Sequence, residues 1–425
     1  MTIGETPVRR DEPRGRMHSA IFGEKSRGIL AYGLGPVLGL MSGPILAHAM
    51  GPVGRGQFAG VMQPITIAAA FASIGIPSAV AFFSASGTDV RACFRVGLRL
   101  CIIPATIVAA VMIWYAGIIS ERQGIGLAFV LSCWSAILLS AVVQIRRGSW
   151  QGVGRWRILD TERATGALLR FIFVVVVALL GATSAEYFVA AALASFAIAA
   201  SLLFRRLPKT RFDSDVTTPP NRKAVAKYAI FASVGTIATI ASSRLDQLLM
   251  PAASTSAELG YYAIAVTVAE IPLVLATLAA RNALPSAARG AANSKIFRDA
   301  GLFFVVCVVS VIGIVALAGP ITPIVFGADF APSVVPMQIL AISSIPLWIS
   351  VFCSSILSGR GYPGAGSVVS LTSLGVTAVA FVVLWDHIDS LVAAQISLAT
   401  SAISAIVGAV MVIKLRRCRV NGVRE

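Results

Sequence analysis

The chain has 425 residues, of which 57% are apolar and only 13% charged, with a net charge of +16 and a mean hydropathy of +0.84. A soluble domain carries about 25% charged residues, so the composition excludes a soluble globular enzyme and describes a polytopic membrane protein. The basic residues lie in alternate links between apolar runs, where they set topology; nucleic acid is excluded as the partner.

Residues 1–26 form a basic tail with no apolar h-region, so no cleavable signal peptide is read and the first span serves as the anchor. Span 1, about 27–50, holds Gly33, Gly35, Pro36, Gly39, Gly43 and Pro44. That density of Gly and Pro suits either bending beside a cavity or close packing between helices. A short link, Gly51–Gln57, leads to span 2 at about 58–84. Spans 3 to 6 follow at about 97–118, 125–145, 166–182 and 186–204. The link 146–165, with Trp150 and Trp156 among its arginines, reads as an amphipathic segment lying in the interface. The most polar linker, 205–227, divides the chain. Spans 7 to 12 fall at about 228–250, 259–281, 300–320, 334–357, 365–385 and 391–413, before a basic tail at 414–425.

Of 35 Lys and Arg, about 32 fall on the N-terminal side of this alternation; only Arg55 and Arg122 sit in the opposite links, and Arg244 lies within a span. The positive-inside rule then places both termini in the cytoplasm. The expected fold is an all-α membrane protein of about twelve transmembrane helices, in two six-helix bundles, 27–204 and 228–413. An internal echo supports the division. Gly56-Gln57-Phe58-Ala59 corresponds to Gly260-Tyr261-Tyr262-Ala263, and Ile76-Pro77-Ser78-Ala79 to Leu284-Pro285-Ser286-Ala287. Parallel repeats of six spans pack about a pseudo-two-fold axis along the membrane normal, with the substrate site between them.

No phosphate-binding Gly loop, zinc motif or CxxC occurs, so no metal, cofactor or disulfide is expected from the six cysteines. Three ionisable residues do stand inside the apolar stretch Ser242–Pro285: Arg244, Asp246 and Glu270. Each would cost about 2.5–3.5 kcal/mol at the centre of a lipid-facing helix. They therefore face a protein interior or a water-filled cavity, and a charge-lined cavity points to transport.

Two stretches carry a family resemblance. GPVGRGQFAGVMQPITIAAAFASIGIPSAVAFF at Gly51–Phe83 and SRLDQLLMPAASTSAELGYYAIAVTVAEIPLVLATLAARNALP at Ser243–Pro285 resemble oligosaccharide flippases, also called polysaccharide biosynthesis proteins. Their superfamily also holds multidrug extruders and lipid II flippases. The resemblance implies movement of an undecaprenyl-diphosphate-linked oligosaccharide between leaflets of a bacterial cytoplasmic membrane, by alternating access. With no ATP motif, the drive is an H+ or Na+ gradient or downstream pulling of product. Membrane lipids and polysaccharide polymerase machinery are the implied partners.

A diphosphate headgroup needs a fixed positive charge, and Arg offers a planar bidentate fork. Arg244 thus reads as a phosphate contact, with Gln247 on nearly the same face and Glu270 as its partner or a proton site; a permanent Arg244–Glu270 ion pair is the other reading. Asp246, near the outer end, reads as a structural group or as a contact along the translocation path. Arg281 and Arg289, like Arg27, sit near the cytoplasmic mouth, as diphosphate contacts or snorkelling topology charges. Arg55 reads as a late contact for the flipped diphosphate or as a loop arginine bonding carbonyls. His48 is a pH-sensing group near the outer face or a satisfied core histidine. Gln63, Gln144, Gln338 and Gln395 line the cavity or bond between helices. Alternatives are a drug extruder or lipid II flippase, and, in other classes, a membrane glycosyltransferase or polymerase, or a non-transporting scaffold. The short outer links argue against the enzyme, and the buried charges against the scaffold.

Overall fold

The computed structural model describes the backbone of residues 14–207, 220–288, 293–360 and 362–421, and side chains over 33–207, 220–233, 237, 244–273, 298, 300–358, 360, 362 and 364–414. The described residues are helical almost throughout. In chain order they form α1 (Arg14–Ser73), α2 (Ile76–Ala85), α3 (Val90–Gln123), α4 (Leu127–Trp134), α5 (Ala136–Val153), α6 (Trp156–Leu179) and α7 (Ala185–Ser201). Then come α8 (Arg222–Ala253), α9 (Ser256–Ala288), α10 (Asn293–Phe326), α11 (Val334–Gly359), α12 (Pro363–Val383) and α13 (Ser390–Asn421). Among the described residues, eight stretches are long and apolar enough to cross a membrane. Large apolar side chains also point outward along the helices, such as Ile103 (71% exposed), Trp114 (69%) and Val382 (75%). So much unpartnered apolar surface is untenable in water and suits a hydrocarbon surround.

Glycines mark the breaks. Gly51 takes φ 64°, ψ −174° and divides α1 into two helices, so the expected loop 51–57 is mostly the start of the second. Only Gly adopts that backbone without strain, and Pro52 then opens the new helix at a position where its missing N–H is no loss. Gly75 (φ 61°) separates α1 from α2 and lies against α8: a Cβ there would sit 2.2 Å from the Ala229 carbonyl oxygen. The corresponding helix of the second half, α9, runs unbroken to Ala288.

Buried residues gather in two main cores. One, including Phe58, Ile119, Trp134 and Phe188, comes almost wholly from α1–α7. The other, including Met250, Tyr262, Phe330 and Phe381, comes chiefly from α8–α13. One end of the helices carries the basic links and is called the basic end; the end holding Arg55 and Arg122 is called the neutral end.

The basic end corrects one expectation. The stretch 146–165 is not a segment of its own: α5 continues to Val153, Gly154 (φ 79°) turns the chain, and α6 begins at Trp156. Trp150 is 1% exposed and donates from Nε1 to the Leu203 carbonyl at 2.8 Å. Arg146 donates to the Leu203 and Arg205 carbonyls at 2.9 and 2.6 Å, with its guanidinium against the Phe94 and Phe204 rings. Arg91 Nε reaches the Leu207 carbonyl at 2.8 Å. These bonds take up carbonyls left without partners where the helix ends and fix where the chain leaves α7.

Candidate functional site

The hairpin α8–α9 positions the candidate site. Asn221 caps α8, its Oδ1 accepting from the Lys223 and Ala224 amides at 3.0 and 3.3 Å. Pro251 lies in its last turn, and Ser254 turns extended (φ −124°, ψ 173°). The Thr255 hydroxyl accepts from the Glu258 amide at 3.4 Å, opening α9 immediately afterwards. This tight turn sets Arg244 of α8 opposite Glu270 of α9. Arg244 Nη1 lies 2.8 Å from Glu270 Oε1 and 3.1 Å from Gln247 Oε1. The Arg244 and Glu270 side chains are each 41% exposed, while Gln247 is buried. The pair therefore borders open space and is not sealed into a helix contact.

Asp246 turns away from this pair. It accepts from the Tyr262 hydroxyl, which also lies 3.3 Å from Ser397 Oγ on α13. Tyr262 is 1% exposed. The trio ties α8, α9 and α13 together inside the second core. Glu258 Oε2 adds a link, accepting from the Ser390 amide at 2.9 Å at the start of α13, where a carboxylate also complements the helix dipole.

Arg55 is buried on the second helix of α1. Its guanidinium stacks over the Phe58 ring at 5.5 Å, and its Nε has no hydrogen-bond partner among the described residues. The charge that bears on it is another cation, Arg170 of α6. Arg55 is thus not a loop arginine saturated by carbonyls. His48 is exposed, with Nδ1 2.9 Å from the Pro44 carbonyl and Nε2 beside Gly327. The side chains of Arg27 and Arg281, and all of Arg289, lie outside the described residues.

Gln144 Oε1 accepts from Arg147 at 3.3 Å, and Gln338 Nε2 donates to the Val315 carbonyl at 2.9 Å; both therefore bond within or between helices. The Asp389 carboxylate accepts from the Val392 amide at 2.7 Å, the ordinary role of a helix cap. Five cysteines, at 93, 101, 133, 307 and 353, are free and buried.

Sequence reasoning missed Tyr262, Ser397, Glu258 and Gln123. Tyr262 could have been suspected from its place near the start of α9, across a short hairpin link from Asp246. Ser397 and Gln123 are distant in sequence and left no signal.

An apolar exterior around a hairpin bearing accessible opposite charges defines a multi-pass membrane protein with a transporter fold. The fold is similar to that of a multidrug resistance MATE family transporter of the MOP superfamily in its inward-facing conformation. The TM-score is 0.69 at 14% identity, covering 93% of this chain and 99% of that one. It is similar also to the lipid II flippase MurJ in an inward closed conformation, with a TM-score of 0.70 at 11% identity, covering 91% and 87%. An outward-facing MATE family transporter matches with a TM-score of 0.57 at 15% identity, covering 94% and 95%. A sequence search of curated proteins gave no significant match. The chain belongs to the polysaccharide biosynthesis protein family, whose model matches residues 28–291.

Proposed function

We propose that this protein flips an undecaprenyl-diphosphate-linked oligosaccharide from the inner to the outer leaflet of a bacterial cytoplasmic membrane by alternating access. The observation that carries the reading is the Arg244–Glu270 pair, charged, facing open space and set within the largely apolar α8–α9 hairpin. Arg244 exchanges Glu270 for a substrate phosphate oxygen, and its planar fork allows it to hold Gln247 and phosphate together. Glu270, released, is the site where an H+ or Na+ couples to the cycle. Arg55 and Arg170 offer a second cationic contact from the first half of the chain. The MurJ likeness supports a lipid-linked substrate, and the family supports a glycan headgroup.

In this reading, two six-helix units, 27–204 and 228–413, rock about the 205–227 linker, with the basic end in the cytoplasm. The higher TM-score against the inward-facing MATE transporter than against the outward-facing one supports an inward-facing form. A drug extruder is the second reading, favoured by the MATE likeness.

The test is flipping in proteoliposomes of a short undecaprenyl-diphosphate oligosaccharide, detected in the outer leaflet by its sugar. Wild type flips it. Arg244→Ala, folded and matched in amount, loses at least about tenfold in rate, the scale on which one charge-assisted contact acts. Arg244→Lys, which keeps the charge without the fork, falls between them. Wild type that transports cationic drugs but no lipid-linked glycan would move the assignment to the extruder.

A further inference from the structure

The two helices that carry the internal repeat meet backbone to backbone at the neutral end. A Cβ on Gly56 of α1 would sit 1.7 Å from the Ser256 carbonyl oxygen and 3.0 Å from the Gly260 nitrogen. A Cβ on Gly260 of α9 would sit 2.0 Å from the Pro52 carbonyl oxygen and 3.2 Å from the Gly56 nitrogen. The contact is reciprocal. Each glycine meets the residue four before its counterpart, and the corresponding positions, 52 with 256 and 56 with 260, are equally spaced along the chain. No side chain fits between the helices there, so the crossing closes that end by shape alone.

The flanks of the crossing follow the same symmetry but are fastened differently. Gln123, the last residue of α3 and 1% exposed, donates from Nε2 to the Pro251 and Ser254 carbonyls at 2.6 and 3.2 Å. Its own carbonyl accepts from Gln57 Nε2 at 3.0 Å and from Ser256 Oγ at 3.3 Å. The Tyr115 hydroxyl donates to the Leu248 carbonyl beside it. On the opposite flank the corresponding position is Gly327, where a Cβ would meet His48 Nε2 at 3.9 Å, while a Cβ on Gly43 would meet the Phe326 ring at 3.5 Å. Among the described residues one flank is hydrogen-bonded and the other shows only van der Waals contact. Gln123 Oε1, moreover, is buried with no partner among the described residues.

We propose that the Gly56–Gly260 crossing is the gate at the neutral end, closed in this structure, and that Gln123 is the latch whose release lets α1 part from α9. The proposal rests on the alternating-access reading above. Its test reads geometry and needs no substrate. Spin labels at Leu180→Cys on the first half and Asp329→Cys on the second, both exposed near the neutral end, report the separation by pulsed electron resonance in lipid nanodiscs. Cys418 is replaced by Ser, and the buried native cysteines stay unlabelled.

Wild type gives a predominantly short distance. Gln123→Glu keeps the shape, removes both donations and turns an acceptor toward two carbonyls. It raises the ratio of long to short distances about fivefold, as loss of two interhelical hydrogen bonds implies. Gly260→Ala does the same by steric wedging. Folded Gln123→Glu with an unchanged distribution overturns the proposal, and that variant decides alone if Gly260→Ala fails to fold. A longer distance in the variants, together with wild type that flips no lipid-linked glycan, would leave the gate standing and remove only the substrate assignment.

Discussion

Among the described residues two arginine–glutamate pairs join neighbouring helices, and they differ in everything but composition. Arg147 of α5 meets Glu162 of α6 through two contacts, Nη2 to Oε1 at 2.6 Å and Nε to Oε2 at 3.2 Å, with Gln144 on the same arginine. The Glu162 side chain is 3% exposed and that of Arg147 25%. Arg244 of α8 meets Glu270 of α9 through one oxygen, with both side chains 41% exposed. The first is a fastening, because a forked, nearly dry pair cannot release one partner without stranding the other. The second can come apart, because open space already reaches both charges. Exposure and the number of contacts distinguish the two pairs; residue identity does not.

That contrast breaks if the two acids matter equally to the fold. Glu162→Ala leaves a largely covered guanidinium without its counter-charge. Breaking a buried pair in this way costs about 3–5 kcal/mol, and the partial exposure of Arg147 brings the expectation to about 2–3 kcal/mol. Thermal unfolding in one fixed detergent measures it. A melting temperature unchanged within error would mean that the pair is not a fastening at all.

A smaller effect is expected at Tyr262→Phe, which removes the hydroxyl that Asp246 accepts from. Hydrogen bonds between membrane helices average about 0.6 kcal/mol and reach about 1.7 kcal/mol. The upper part of that range applies, because the carboxylate is left in a covered site. Tyr262→Phe combined with Asp246→Asn should recover part of the loss, since an amide tolerates a missing donor better than a carboxylate does. If the double variant is as unstable as the sum of the singles, the two side chains are not acting as a unit.

The sequence made one of these regions legible and hid the other. The apolar runs lie on helices to within a few residues, because a 20-residue apolar stretch has few other options in lipid. Arg244, Gln247 and Glu270 were readable because the hairpin link is short and charge inside an apolar run stands out. The Arg147–Glu162 fastening was not, because its residues lie in a link rich in arginine, where topology alone accounts for positive charge. The same cause hid Arg146 and Trp150, which looked interfacial and are built into the end of α7. The repeat Gly56/Gly260 was visible as spacing. That the two glycines touch each other, and are not merely alike, follows only from the three-dimensional pairing of α1 with α9.

The smallest expected change in stability belongs to Glu270. A singly bonded, solvent-reached pair contributes about 0–1 kcal/mol in water, so Glu270→Gln and Glu270→Ala should unfold within about 1 kcal/mol of wild type. Glu270→Gln keeps an oxygen near Arg244 and removes the charge, so it separates the electrostatic role from the steric one. If Glu270 is the coupling group, Glu270→Gln stops a pH or Na+ gradient from accelerating flipping, while slow ungradiented exchange persists because Arg244 is still there to hold phosphate. If Glu270 merely holds Arg244 in place, Glu270→Gln instead weakens transport with and without a gradient by the same factor. Flipping rates with and without an imposed gradient, compared between the two forms, separate these outcomes. A melting shift as large as that of Glu162→Ala would dissolve the distinction between the two pairs.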